Sequence, residues 1–234
     1  MLTVITPSIR LQGLELNRKS LQRQTLSDFT WIVVSPFEYK DADVWIPDPP
    51  KRKGDFYRLN GAYNAGFKAA KGDLVVSYQD QIEMEPTTLE RFWVHYEANP
   101  KACVGAIGHQ YENGVQVWSD PRQTLEYGSF YECNPIDIEF TLASLPRQAI
   151  LDVGGLDEEF EKGAAIGEKE MLLRIDKAGY LTYLDQSILY KAEHHERLTA
   201  DWNEKYKIAS DYYQKCYSSI MNGTRPIKSG SLVT

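Results

Sequence analysis

Short apolar runs alternate with amphipathic stretches over the first hundred residues of the chain. Residues 2–6 (LTVIT) and 29–35 (FTWIVVS) are rich in β-branched and aromatic side chains, which is typical of buried strands. Between them, Leu11, Leu14 and Leu21 recur at the spacing of one helix face. The pattern therefore predicts a strand, a helix and a second strand.

A second unit of the same kind follows a proline-rich, basic loop. Apolar and small residues recur at helical spacing from Leu59 to Ala70, Lys71-Gly72-Asp73 ends that helix, and residues 74–78 (LVVSY) predict another strand. Pro86 begins a helical stretch that reaches about Asn99. This alternation predicts an α/β fold with a mostly parallel central sheet flanked by helices, in which ligands bind at the carboxyl ends of the strands.

The second half of the chain is less regular. Residues 109–140 carry turn formers such as Asn113-Gly114 and predict hairpins and loops. Residues 145–160 (LPRQAILDVGGLDEEF) and 167–180 (GEKEMLLRIDKAGY) predict two helices. We predict one domain at 1–199, followed by a C-terminal helix and a tail with few core residues at 200–234.

Composition narrows the class of protein. The 234 residues carry 26 basic and 33 acidic side chains, and the resulting charge of −7 argues against a nucleic-acid partner. No apolar stretch approaches the ~20 residues that cross a bilayer, and the first residues lack the features of a signal peptide. The three cysteines are odd in number and show no CxxC spacing, which indicates a reducing, cytoplasmic location.

Five segments of the chain carry family-like motifs, at 2–8, 20–35, 64–81, 143–160 and 167–180. Their order and spacing resemble those of the family 2 glycosyltransferases of GT-A (Rossmann-like) fold. The similarity spans about residues 2–195, and its sharpest part is the pair GGLDEEF (154–160) and GEKEMLLR (167–174). The resemblance implies an enzyme that moves a sugar, with inversion, from a nucleoside-diphosphate sugar, expected to be a UDP-sugar, to a hydroxyl group of a carbohydrate or other acceptor. It also divides the domain into a nucleotide-binding half at 1–100 and an acceptor-binding half at 101–199.

By this resemblance, the first two strands end at the nucleotide. Thr6, Pro7 and Ser8, with Arg10 just beyond, would contact the base and ribose, although Ser8 is equally suited to cap the following helix. Ser35 stands where similar enzymes usually carry an aspartate. Base recognition is therefore expected to differ from the family pattern.

The helix after the basic loop carries a further part of the expected nucleotide site. Asn64 begins an Asn-x-Gly match to the family. Arg58, just upstream, is the cation that we expect to meet the diphosphate. Lys51 and Lys53 are more simply explained as surface lysines.

The strand ending in YQDQ (78–81) departs most from the family. GT-A enzymes normally carry Asp-x-Asp there, and these carboxylates bind Mg²⁺ or Mn²⁺. In this chain Gln79 and Gln81 occupy the acidic positions, so Asp80 is the only charged residue of the motif. His194 and His195 lie where related enzymes often supply another ligand. We therefore predict a site for Mn²⁺ or Mg²⁺ made by Asp80 with one of these histidines.

Glu168 occupies the position of the family's catalytic base when Arg174 is aligned with the motif's arginine. Inverting transfer needs one carboxylate that takes the proton of the acceptor hydroxyl. The alternative is an acid favoured in a first helical turn, and Glu170 is best explained by an i, i+4 ion pair with Arg174. Aromatic residues at 118–131 suit either stacking on an acceptor sugar or ordinary packing.

Two other functions compete with sugar transfer. Nucleotidyl transfer is disfavoured because TPSIRLQG (6–13) is a poor match to a glycine-rich phosphate loop. A non-catalytic or metal-independent GT-A-like protein that binds a sugar nucleotide or carbohydrate remains open, because the Asp-x-Asp carboxylates are missing.

Overall fold

The computed structural model describes residues 1–124, 128–193 and 201–232. The strands are β1 (Leu2–Pro7), β2 (Phe29–Ser35), β3 (Val44–Pro47), β4 (Leu74–Tyr78), β5 (Ile82–Met84), β6 (Ala102–Glu112), β7 (Val115–Ser119), β8 (Phe130–Glu132), β9 (Leu142–Pro146) and β10 (Leu181–Glu193). The helices are α1 (Leu11–Leu21), α2 (Leu59–Ala69), α3 (Thr88–Ala98), α4 (Arg147–Val153), α5 (Gly167–Lys177) and α6 (Trp202–Met221). Within these ranges, 3₁₀ segments lie at Pro135–Asp137 and Glu158–Lys162.

The strands form one mixed sheet in the order β3-β2-β1-β4-β9-β6-β10-β5, with β7 paired to β6 and β8 to β10. Parallel pairs join β3, β2, β1 and β4, as the alternation of strands and helices predicts. Strand β9 then runs antiparallel to both β4 and β6, while β6 and β10 pair in parallel. The carboxyl ends of β1, β2 and β4 therefore meet at one edge of the sheet.

Alternating side chains bury both faces of this sheet. Ile5 of β1 packs with α2, α4 and α5 on one face, whereas Leu2 and Val4 pack with α1 and α3 on the other. Side chains alternate across a strand, so each central strand contributes to both cores. Two-sided burial explains why β1, β2 and β4 are nearly continuous apolar runs.

The prediction of a helix at 145–160 is wrong for most of this segment. Its first two residues belong to β9, and helix α4 has only seven residues. Gly154 and Gly155 then take positive φ angles of 75° and 71°, a conformation that ends a helix. The segment therefore folds as strand, short helix, glycine turn and 3₁₀ segment.

The C-terminal tail is docked on the glycine turn after α4. The N–H groups of Gly230, Ser231 and Leu232 donate to the carbonyls of Val153, Leu156 and Gly154 over 2.8–3.1 Å. Leu232 is buried in the core of that face of the sheet. The tail thus adds a core residue and three main-chain hydrogen bonds. No helix in the described ranges has the length and apolarity needed to cross a membrane.

Candidate active site

The ends of β1 and β4 meet at the carboxylate of Asp80. The Ser8 hydroxyl donates to Asp80 Oδ2 over 2.7 Å, and Arg10 Nη1 lies 3.6 Å from the same oxygen. The Arg10 N–H donates to Ser8 Oγ over 3.0 Å, and the N-cap residue of α1, Arg10, makes no capping side-chain hydrogen bond to the described residues. The Ser8 hydroxyl is therefore bonded to Asp80 and the Arg10 main chain, and it places a guanidinium and the open N-terminus of α1 beside one carboxylate.

Helix α1 approaches this carboxylate closely because residue 13 is glycine. A Cβ at Gly13 would lie 2.9 Å from Asp80 Cβ, a distance that real Cβ atoms essentially never show, and 3.0 Å from Gln81 Cγ. One turn later, the buried Asn17 donates from Nδ2 to the Gln79 carbonyl over 2.9 Å. Asn17 Oδ1 and Gln81 Oε1 are buried and have no hydrogen-bond partner among the described residues. Such orphaned acceptors are uncommon in interiors and mark a strained or ligand-facing place.

Backbone strain is concentrated at the predicted site residues. Gln81 has a φ of 64°, and Ala165 and Ile166 have values of 61° and 71°. In the described ranges, Asn113 is the only other non-glycine residue with a positive φ. Each such residue costs on the order of 1–3 kcal/mol, and strain of this kind clusters at functional sites. Gln81 follows Asp80, and the other two precede Glu168.

The described donors do not by themselves make a metal site. Asp80 is the single carboxylate of its turn, and its Oδ2 is already bonded to Ser8 and faces a guanidinium. No cluster of three histidine, cysteine or acidic side chains suited to a metal occurs in the described ranges. His194 and His195 lie outside the described residues. The predicted cation site therefore stays a prediction, and we assign no reaction step to it.

Glu168 opens helix α5 and is half-buried. Burial raises the pKa of its carboxyl above the ordinary value, and the negative charge of Glu139 raises it further. A hydrogen bond from its own backbone N–H and the positive charge of Lys169 lower the pKa, but by less. A raised pKa suits a carboxylate that must accept a proton near neutral pH. Gly167, where the family carries an acid, lies against Asn60, whose amide group leaves no room for a Cβ.

Tyr63 is a buried side chain whose phenol is affected by the charges of both Asp80 and Glu168. Its hydroxyl is within 2.7 Å of Ser77 Oγ and donates to the Phe140 carbonyl over 3.2 Å. Burial raises the pKa of this phenol, and the charges of both Glu168 and Asp80 contribute to the increase. The two predicted carboxylates thus lie within electrostatic range of one buried ring.

Arg58 and Asn64 are bonded within the protein. Arg58 is 8% exposed, and its Nη1 donates to Asp55 over 3.3 Å and to Glu158 over 3.1 Å. Its buried Nε has no hydrogen-bond partner within the described ranges. Asn64 exchanges hydrogen bonds with the Leu156 main chain over 2.9 and 3.0 Å and donates to Glu158. These contacts pin α2 to the glycine turn. A nucleotide contact by either residue stays a prediction.

Thr6, Pro7 and Ser35 are buried at the ends of β1 and β2. Thr6 Oγ1 accepts a hydrogen bond from Trp31 Nε1 over 3.0 Å. Ser35 Oγ accepts from Trp45 Nε1 over 3.1 Å and donates to the Phe37 carbonyl. Both hydroxyl groups therefore make hydrogen bonds within the protein.

The aromatic residues of the 118–131 segment divide between surface and packing positions. Trp118 is exposed on β7, whereas Phe130 stacks between His95 and Tyr183 at centroid distances of 4.3 and 4.8 Å. Tyr131 donates to the Arg122 carbonyl over 3.1 Å. Residue 127 lies outside the described ranges.

The predicted pairing of Glu170 with Arg174 is confirmed. The two side chains are fully buried, and Arg174 Nε and Nη2 donate to the two carboxylate oxygens, each over 2.8 Å. Bidentate geometry and burial make this a structural pair.

Sequence reasoning missed three residues of the site. Asn17 is a buried polar side chain on the apolar face of α1, and a polar residue three positions after Leu14 was the available signal. Glu139 acts on Glu168 through space, and Glu168 acts in the same way on Tyr63, so no local pattern marks either Glu139 or Tyr63.

Comparison with known proteins identifies the fold. No protein-family model matches the chain, and no curated protein matches it. The solved structure of GalNAc-T7 with UDP, GalNAc and Mn²⁺ is similar with a TM-score of 0.65 and 11% sequence identity, covering 97% of this chain and 52% of that one. The structure of TarS from S. aureus is similar with a TM-score of 0.61 and 12% identity, covering 94% of this chain and 43% of that one.

This chain therefore spans about half the length of the two solved structures. At such low identity the similarity establishes the fold, and the predicted α/β class with GT-A architecture is confirmed. Membership of family 2 stays a prediction, because no family model matches.

Proposed function

We propose that this protein transfers a sugar from a UDP-sugar to a hydroxyl acceptor, with Glu168 as the general base. The observation that carries the proposal is the placement of Glu168, a half-buried carboxyl with a raised pKa, behind a strained turn. GalNAc-T7, which shares the fold, was solved with UDP and GalNAc, and this supports the choice of donor. In this proposal residues 1–100 bind the nucleotide and residues 101–199 bind the acceptor.

The leaving diphosphate is stabilised by the positive groups at the start of α1. Arg10 and the uncapped first turn of α1 lie beside Asp80, and Ser8 offers a hydroxyl. A guanidinium and helix N–H groups lower the cost of the negative charge that grows on a departing phosphate. Asp80 holds Ser8 and Arg10 in place before the nucleotide binds.

Glu168 accepts the proton of the acceptor hydroxyl while that oxygen bonds to the anomeric carbon. The bond from the anomeric carbon to the diphosphate oxygen breaks at the same time, and its electron pair leaves with UDP. Attack opposite the leaving group inverts the configuration at that carbon. The proton ends on Glu168, whose raised pKa favours accepting it.

A panel of UDP-sugars, scored by release of UDP, tests the proposal. We expect slow hydrolysis of one donor and a loss of roughly 10²–10⁴-fold in Glu168→Gln, the contribution of a general base. Glu204→Gln is the matched control, because the Glu204 side chain is 71% exposed on α6. Parental turnover in Glu168→Gln would assign the base elsewhere.

The second candidate is a protein that binds a sugar nucleotide without turning it over. Gln79 and Gln81 in the two acidic positions favour it, since they leave Asp80 as the only carboxylate of its turn. UDP binding by calorimetry, with no donor consumed from the whole panel, would establish this function.

A further inference from the structure

Helix α6 lies against the strained turn that precedes Glu168. The Ala164 N–H donates to the Lys205 carbonyl over 3.1 Å. A Cβ at Gly163 would lie 2.7 Å from both the Lys205 carbonyl oxygen and the Ala209 nitrogen, so glycine permits this contact between main chains. Ile166 packs in a small core with Phe160, Ala209 and Cys216.

Arg225, just beyond α6, joins two segments of the site region. Its Nε donates to Glu170 Oε1 over 2.9 Å, and its Nη2 donates to Asp157 Oδ2 over 2.6 Å. Glu170 lies on α5 two residues after Glu168, and Asp157 follows the glycine turn. One guanidinium therefore fixes the first turn of α5 to the loop that precedes it.

The cluster around Arg225 is balanced in charge. Two carboxylates, Glu170 and Asp157, face two guanidiniums, Arg174 and Arg225. Tyr212 also donates to Asp157 Oδ2 over 2.8 Å. Removal of one guanidinium leaves an uncompensated buried carboxylate, which lowers the stability of the fold.

The attachment of the tail does not depend on the Arg225 side chain. Residues 230–232 bond through their main chain to the glycine turn, and Ser231 Oγ accepts from the Glu158 N–H over 2.9 Å. A substitution at Arg225 therefore removes the bridge between Glu170 and Asp157 while the tail keeps its own hydrogen bonds.

Positive φ angles at Ala165 and Ile166 persist only where the surroundings hold them. Helix α6 supports one side of this turn, and the α5 end is held through Glu170. We propose that Arg225 is a positioning residue for sugar transfer: by tying Glu170 to Asp157, it fixes the start of α5 that presents Glu168. This inference rests on the proposed function.

Arg225→Gln tests the proposal, with Arg23→Gln as the matched control, because Arg23 makes a surface ion pair of 2.8 Å with Glu83. At a temperature well below unfolding, we expect kcat to fall roughly ten- to a hundred-fold, the scale of a small misplacement of a catalytic group. UDP affinity and the donor KM should stay within about twofold of the parent, because the nucleotide contacts are untouched. Unchanged kcat, or equal losses in kcat and affinity, would overturn the proposal.

The double variant Asp157→Asn/Arg225→Gln separates positioning from stability. It restores the charge balance, and asparagine can still accept the Glu159 N–H bond that Asp157 makes over 2.9 Å. We expect its Tm to recover toward the parent while kcat stays low, since glutamine is too short to bridge both segments. Recovery of kcat together with Tm would show that Arg225 serves only stability. If Arg225→Gln does not fold, this double variant is used for the kinetic measurement.

Amide hydrogen exchange gives a readout that needs no substrate. In Arg225→Gln we expect faster exchange across residues 164–170 and no change there in Arg23→Gln. An unchanged rate in this segment overturns the positioning role, whatever the activity. A parent that consumes no UDP-sugar refutes the proposed function instead, and the exchange measurement still decides whether Arg225 holds the turn.

Discussion

Ser8 donates a hydrogen bond to Asp80 over 2.7 Å, across 72 positions of sequence. The bond joins the ends of two parallel strands through the residues that carry the predicted nucleotide contacts. Arg10 places a positive charge beside the Asp80 carboxylate. Gly13, which has no side chain, lets α1 approach that carboxylate closely. Asp80 thus occupies the place beside α1 where an anion is favoured.

Asp80→Asn should therefore leave UDP binding intact, or strengthen it, when a chelator is present. The amide oxygen of asparagine can still accept the hydrogen bond from Ser8. The positive charge of Arg10 is then no longer neutralised by Asp80 and is available to the diphosphate. A partly exposed ion pair contributes about 0–1 kcal/mol, so we expect a gain of up to roughly fivefold. Calorimetry with UDP and EDTA measures it, with Asp73→Asn as the exposed control. A large loss of affinity would show that Asp80 itself holds the nucleotide.

Gln81→Asp should raise the affinity for Mn²⁺ in the presence of UDP. Its Oε1 is buried near Asp80 and has no hydrogen-bond partner in the part of the chain that the structure describes. Aspartate tolerates the positive φ of 64° at this position. At an effective dielectric near 20, one added charge beside the cation contributes on the order of a few kcal/mol before desolvation is subtracted. A metal titration of both proteins with UDP provides the comparison. Equal or weaker affinity would place Gln81 away from the metal.

The sequence predicted the strands and helices whose pattern is long or clearly bounded. The bounds of β2 agree with the predicted 29–35, and Glu168 lies in the first turn of the predicted α5. Strand β9 was missed, because its five residues are buried on both faces and run directly into a helix. A short apolar run of this kind has no periodicity that separates strand from helix.

Site residues were predictable only where they belong to a short sequence motif. The YQDQ and GEKEMLLR segments pointed to Asp80 and Glu168 because they can be aligned with the motifs of the family that the chain resembles. Asn17 meets the Gln79 carbonyl across 62 positions, and Arg225 meets Glu170 across 55. These contacts depend on how the helices pack, and no pattern within a few residues encodes them.

The pH dependence of turnover should report the raised pKa of Glu168. A general base acts in its charged form, so kcat should fall as the pH decreases through that pKa, above the ordinary glutamate value of about 4.3. Glu139→Gln removes a negative charge that raises the pKa, so the acidic limb should move to lower pH. Profiles of kcat for the parent and Glu139→Gln test this. If the acidic limb of the kcat profile does not move in Glu139→Gln, the group that titrates there is not Glu168.

The stability of the protein should depend on the protonation of Glu161. Burial raises the pKa of this carboxyl to about 7, against hydrogen bonds from the α2 N–H groups and the charge of Arg58. The folded state therefore holds the proton more tightly than the unfolded chain, for which the pKa is about 4.3. The resulting stabilisation is complete below about pH 4.3 and is lost as the pH rises through about 7.

Glu161→Gln should abolish that part of the pH dependence. The amide oxygen of the introduced glutamine can still accept from the Gly61 N–H, the 2.8 Å bond that Glu161 makes at the start of α2. We expect the variant to be more stable than the parent at about pH 8.5, by up to about 3 kcal/mol, and similar to it at low pH. Urea denaturation at both values measures the difference, with Glu159→Gln as the exposed control. A parallel pH dependence in parent and variant would contradict the raised pKa.

Ala165→Gly should separate the stability of the strained turn from its function. Ala165 is exposed with a φ of 61°, so glycine relieves strain and removes little packing. We expect Tm to be unchanged or higher, because strain relief offsets the added entropy of the unfolded chain. Turnover should fall roughly tenfold, since a looser turn presents Glu168 less accurately. Asn113→Gly is the matched control, because Asn113 has a φ of 52° at the tip of the β6–β7 hairpin, away from this turn. Parental turnover in Ala165→Gly, measured beside that control, would mean that the fixed geometry of the turn is not needed for the reaction.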